Sequence, residues 1–70
     1  MMPLSLADVG AAAIIRRVGG TPEMKKHLED MGFVAGADVQ IVATMGGNLI
    51  VNVKETRVAI SRETANKIMI

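Results

Sequence analysis

Apolar residues along this chain come in short blocks, most of them with a period of two. Small and β-branched residues run from Ala11 to Val18 around Ile14 and Ile15, which predicts a first strand ending at Gly19-Gly20. Further on, Val39, Ile41, Ala43 and Met45 alternate with Gln40, Val42 and Thr44, the pattern of a half-buried strand. Gly46-Gly47-Asn48 then reads as a tight hairpin, because the primed turns need positive φ. Leu49, Val51 and Val53 follow in one phase, opposed by Ile50, Asn52 and Lys54. Glu55-Thr56 is expected to turn into a strand over Arg57–Ile60, and Ser61 to cap a single helical turn from Arg62 to Asn66. Lys67–Ile70 would close the chain as a last short strand.

Between the first two strands the period changes to that of a helix. Thr21 can cap the free amides, Pro22 suits the first helical position, and Glu23 complements the dipole. Met24, Leu28 and Met31 then form one apolar stripe at i, i+4 and i+7, with Lys25–Glu29 and Lys26–Asp30 on the wet side. Gly32 supplies a left-handed C-terminal cap, and Phe33 folds back onto the helix. Leu28, Met31 and Phe33 are expected to face the core. Pro3 to Gly10 is a lead-in whose Leu4, Leu6 and Val9 could close one end of it. These elements predict a mainly β (α+β) domain: a small five-stranded, strongly bent barrel with one inserted α-helix and a short C-terminal helical turn.

Composition narrows this picture. Seventy residues give one domain, residues 1–70, and half of them are apolar, which suits a folded core. Phe33 is the single aromatic, so that core is aliphatic. Eight basic and seven acidic residues leave a net charge of +1, with the basic ones dispersed and no aromatic stacking platform. No nucleic-acid partner is expected on that basis. The absence of cysteine excludes disulfides and thiolate metal sites and fits a reducing cytoplasm. Neither a signal peptide nor an apolar run long enough to span a bilayer is readable. One histidine and no cysteine leave no catalytic constellation, and neither Gly19-Gly20 nor Gly46-Gly47 precedes the Gly-Lys-Ser/Thr of a phosphate loop. The chain is not expected to be an enzyme.

Three segments, in order, carry a resemblance: Leu28-x-x-Met31-Gly32-Phe33-Val34-x-Gly36-x-x-Val39-x-Ile41, Leu49-x-Val51-x-Val53, and Val58-Ala59-Ile60-Ser61-Arg62-Glu63-x-Ala65-x-x-Ile68. With the leading Leu4–Gly10 and Arg17–Gly20, they resemble the ferrous iron transport protein A (FeoA) family over nearly the whole chain. The chain departs from the family pattern at Ala35, where many members have proline. It departs also in the short loop Met45–Asn48, and at Lys54-Glu55-Thr56, where a glycine is common. The resemblance implies an SH3-like barrel acting in the cytoplasm beside a membrane ferrous-iron transporter that has its own GTPase domain. The small protein would bind or modulate that transporter, reaching the inner face of the membrane only through it. The same domain also occurs fused to metal-dependent repressors; residues 1–70 contain no DNA-binding helix pair, so that role is not expected of this chain unless it is a fragment.

The candidate site residues follow from phase and from the hairpin. Val42, Ile50 and Met69 are apolar but out of step with the core set, so they are either covered by the helix or lead-in or form an exposed patch for a partner or a second copy. The expected partner surface is Val42, Met45, Gly46, Gly47, Asn48 and Ile50, with Arg57 able to reach a partner's nucleotide. Glu23, His27 and Asp30 share one helix flank and are weak candidate ligands for Fe2+ or another divalent metal, against the plainer reading of a dipole partner and two solvated side chains. No tightly held cofactor is expected. Alternative functions are a small metal-binding or metal-sensing module, or a barrel associated with RNA or the ribosome.

Overall fold

The computed structural model describes residues 1–70. One antiparallel sheet contains β1 (Ala12–Ile14), β3 (Asp38–Met45), β4 (Asn48–Val53) and β5 (Thr56–Ser61), in the order β1-β3-β4-β5. The other pairs β2 (Arg17–Val18) with β6 (Ile68–Met69). Helix α1 (Pro22–Asp30) joins β2 to β3, and the single-turn α2 (Arg62–Ala65) joins β5 to β6. The two sheets enclose a core of Leu4, Ile15, Val18, Leu28, Phe33, Val39, Ile41, Leu49, Val51, Val53, Ile60, Ala65 and Ile68. No helix is long and apolar enough to cross a membrane.

The small barrel with one inserted helix is as expected, but it has six strands rather than five. The predicted strand Ala11–Val18 breaks in two. Ile15 and Val18 are both buried, and residues three apart on an unbroken strand point to opposite faces. The chain therefore bends at Arg16 and passes from one sheet to the other. Ile15 is held at the bend by its N–H donating to Ala37 O (2.9 Å) and its carbonyl accepting from Gly36 N–H (2.7 Å).

Both ends of α1 form as their residues predict. The Thr21 hydroxyl oxygen accepts from Met24 N–H at 3.2 Å, with Pro22 in the first turn. At the C-terminus Gly32 N–H donates to Glu29 O and Phe33 N–H to Leu28 O, both at 2.9 Å, a Schellman arrangement. Gly32 has φ +103°, which a residue with a Cβ adopts only under strain. A Cβ there would also lie 3.1 Å from Lys54 Cδ, because the lysine stem crosses over the glycine. Leu28 and Phe33 are fully buried, and Met24 and Met31 half-buried, so the apolar stripe faces inward. Ser61 caps α2 by accepting from Thr64 N–H at 3.1 Å.

Other expectations need correcting. Of the lead-in residues only Leu4 enters the core; Leu6 and Val9 are exposed. Leu4–Leu6 winds into one 3-10 turn, which shows only Leu4 to the interior, and the Ser5 hydroxyl ties this turn to Asn66 Oδ1 beside α2. The alternation in β3 does not run through. The ladder to β4 pairs Ile41 with Val51 and Ala43 with Ile50, leaving Val42 as the extra residue of a β-bulge. Beyond it the phase reverses: Thr44 stands opposite core-facing Leu49, while Ala43 and Met45 turn to the outer face. The second hairpin turns at Lys54-Glu55, one residue earlier than Glu55-Thr56, since Val53 pairs with Thr56.

Candidate functional site

The outer face of the four-stranded sheet carries most of the residues expected to meet a partner. Residues directly opposite on antiparallel strands share a face, so the register defines its rows. Met45, Asn48 and Ser61 form the row next to the first hairpin. Ala43, Ile50 and Ala59 form the middle row, and Gln40, Asn52 and Arg57 the third. An apolar centre of one isoleucine between two alanines is thus flanked by a polar row on one side and by Met45, Asn48 and Ser61 on the other. Ile50 is half-buried between the two smaller alanines, and Met45 adds a flexible apolar edge at 64% exposure.

The hairpin that carries this face is built by Gly46-Gly47. Gly46 has φ +58° and Gly47 does not share the left-handed region, which is the pattern of a type II′ turn. That turn fixes Met45 opposite Asn48 and so aims Met45 outward. Of the seven residues expected at the partner surface, Met45, Asn48, Ile50 and Arg57 share the outer face, and Gly46 and Gly47 form its exposed end. Val42 is set apart as the unpaired bulge residue, half-buried beside Ala43. Ala43 and Ala59 belong to the face but were not singled out by sequence, since period-two reading placed Ala43 inside.

Met69, the third out-of-phase residue, lies elsewhere. It pairs with Arg17 on the outer side of the small β2–β6 sheet and is half-buried there. Glu23, His27 and Asp30 are all exposed along α1. No group of three His, Cys, Asp or Glu side chains in the molecule converges in a way that could hold a metal ion. Inside the barrel there is no buried polar or charged side chain to serve as an acid, base or nucleophile.

Comparison with known proteins gives a consistent result. Residues 2–70 match the model of the FeoA domain. A candidate Fe(2+) transport protein A of Methanocaldococcus jannaschii is 29% identical over 70 residues, covering all of this chain and 85% of that protein. A crystal structure of an iron uptake regulatory protein, FeoA, superposes with a TM-score of 0.90 at 28% identity, covering 97% of this chain and 92% of the other. The zinc complex of FeoA from Stenotrophomonas maltophilia superposes with a TM-score of 0.86 at 28% identity over 99% of this chain and 88% of that one. It is described as a prokaryotic SH3 domain protein and suggested as a ferrous iron transport activating factor.

Proposed function

The chain belongs to the FeoA domain family, associated with ferrous iron transport, and from that premise we propose that it is a cytoplasmic accessory protein of ferrous iron uptake. In this reading it docks on the GTPase-containing cytoplasmic part of a membrane Fe(II) transporter through the outer face of β3, β4 and β5. The observation that carries the proposal is that face itself: Ile50 flanked by Ala43 and Ala59, with Met45 and Arg57 at its margins. Apolar anchors surrounded by polar groups are where binding energy concentrates. Arg57 supplies a fixed positive charge that could meet a phosphate or carboxylate of the partner. The lack of any buried acid, base or nucleophile favours binding over catalysis.

Calorimetric titration against the transporter's cytoplasmic domain, without nucleotide and with GDP or GTP, tests the reading. Met45→Asp changes an exposed side chain and should leave the fold intact. It is expected to weaken binding about tenfold, equivalent to about 1.4 kcal/mol. No binding by the unmodified chain in any nucleotide state would overturn the proposal.

The zinc held by the Stenotrophomonas maltophilia relative gives the metal-binding alternative a direct test. Since Glu23, His27 and Asp30 do not form a cluster here, titrating Fe(II) or Zn(II) into the chain and into His27→Ala is expected to give superimposable isotherms. Loss of a stoichiometric binding step in the variant would instead assign a metal to the α1 flank.

A further inference from the structure

We propose that a second surface, centred on Arg16 and Arg17, docks the protein directly on an anionic lipid bilayer. Three shallow depressions meet there. One lies on the outer side of the β2–β6 sheet between Arg17, Lys67, Met69 and Met1; the next lies between Arg16, Ile70, Met1 and Met2. The third separates Arg16 and Arg17 from Lys25 on α1, with Glu29 the only acidic side chain on any of the three walls. The register explains the grouping: Val18 and Ile68 point into the core, which turns their neighbours Arg17 and Met69 out together. Four cationic side chains against one acidic side chain stand out in a chain whose net charge is only +1.

The apolar component selects a lipid surface. Met1 is 81% exposed, Met2 is exposed and Met69 half-buried, so unbranched thioether chains stand among the cations. Flexible apolar tips surrounded by lysine and arginine suit a bilayer interface, where the tips enter the acyl boundary and the cations meet headgroup phosphates. An acidic peptide would need a groove or an open strand edge. Here the cations spread over three separate depressions rather than along one groove, and β6 is flanked by β2 on one side and by Met2–Pro3 on the other, which leaves only the two-residue β2 of this sheet with an outer edge. Met2 N–H donates to Ile70 O at 3.1 Å and Ile70 N–H to Met2 O at 2.9 Å. This surface shares no residue with the face proposed to meet the transporter, so either proposal can fail without the other.

Co-sedimentation with vesicles decides the matter, using phosphatidylcholine alone or mixed equally with phosphatidylglycerol. The chain is expected to partition at least tenfold more onto the anionic vesicles at about 0.1 M salt, and to lose the preference near 1 M, where the Debye length falls from about 10 to about 3 Å. Arg16→Gln/Arg17→Gln replaces two exposed side chains and is expected to abolish the preference with an unchanged circular dichroism spectrum. Lys26→Gln/Arg62→Gln removes the same charge outside the three depressions and is expected to retain it. Equal partition onto both vesicle types, or a double variant at Arg16 and Arg17 that sediments like the parent, overturns the proposal. Saturable binding of a polyglutamate peptide stronger than vesicle binding would overturn it in favour of an acidic protein partner.

Discussion

Phe33→Ala is expected to remove about half of the stability of the domain. Phe33 is the largest side chain in the core, fully buried, and its backbone N–H closes the C-terminus of α1 on Leu28. Truncating a buried phenylalanine costs about 3–5 kcal/mol, from lost transfer energy and the cavity left behind. A chain of this length is stable by only about 4–10 kcal/mol in total. The loss therefore removes about half of the margin, and Tm should fall by roughly 12–40 °C, at about 4–8 °C per kcal/mol for a small domain. Far-UV circular dichroism is the suitable probe, because the chain has no tryptophan or tyrosine. Phe33→Leu, which keeps most of the volume, should cost less than about 1.5 kcal/mol. Leu6→Ala, at an exposed position, should stay within about 0.5 kcal/mol of the parent. A Phe33→Ala chain melting within a few degrees of the parent would show that the barrel is not organised around this ring.

The helix and its junctions were legible in the sequence because their causes are local. Thr21, Pro22 and Gly32 each act within one turn of their own position, and Ser61 does the same for α2. The strands were less legible where a distant partner sets the geometry. Nothing in Ile41-Val42-Ala43 signals a bulge by itself: there is no glycine, and all three residues are apolar. The signal lies in the conflict between two registers. A two-residue turn at Gly46-Gly47 pairs Met45 with Asn48 and hence Thr44 with Leu49. If Leu49, Val51 and Val53 face the core, an unbroken ladder would put Thr44, Val42 and Gln40 inward and expel Ile41 and Val39. One inserted residue removes the conflict, and the bulge at Val42 is that residue.

The same reasoning accounts for the candidate surfaces. Ile50 was recognisable as out of phase because its own strand alternates without interruption. Met45 was recognised through the hairpin, whose turn sets it opposite Asn48 on the outer face; the bulge reconciles that placement with inward Ile41 and Val39. The break at Arg16 was hidden because alanines and β-branched residues fit a continuous strand as well as a bent one. With it was hidden the grouping of Arg16 and Arg17 with Lys25 and Lys67, residues dispersed in sequence that only the β2–β6 pairing and the packing of α1 bring to one side.

Lys54→Asn/Glu55→Gly is expected to stabilise the domain by about 1–2 kcal/mol. Lys54 and Glu55 have φ of 49° and 62°, the only non-glycine residues with positive φ in the chain. They occupy the two central positions of the β4–β5 turn, where a type I′ geometry favours Asn-Gly. An L-residue with a bulky side chain in the left-handed region carries a penalty of roughly 1–2 kcal/mol, which asparagine reduces and glycine avoids. Two effects oppose the gain. Glycine adds entropy to the unfolded chain, worth about 0.5–1 kcal/mol. Asparagine also removes the lysine stem that lies over Gly32. Glu55→Gly alone keeps that stem in place, so it isolates the turn and should give half or more of the effect. For the double variant a Tm rise of about 5–15 °C is expected. A Tm equal to or below that of the parent, with an unchanged spectrum, would mean that the stem of Lys54 over Gly32 outweighs the strain at both turn residues. The turn lies at the opposite end of β4 from Gly46-Gly47. Affinity for the transporter's cytoplasmic domain should therefore stay within a factor of two of the parent, separating the determinants of stability in this domain from its proposed binding face.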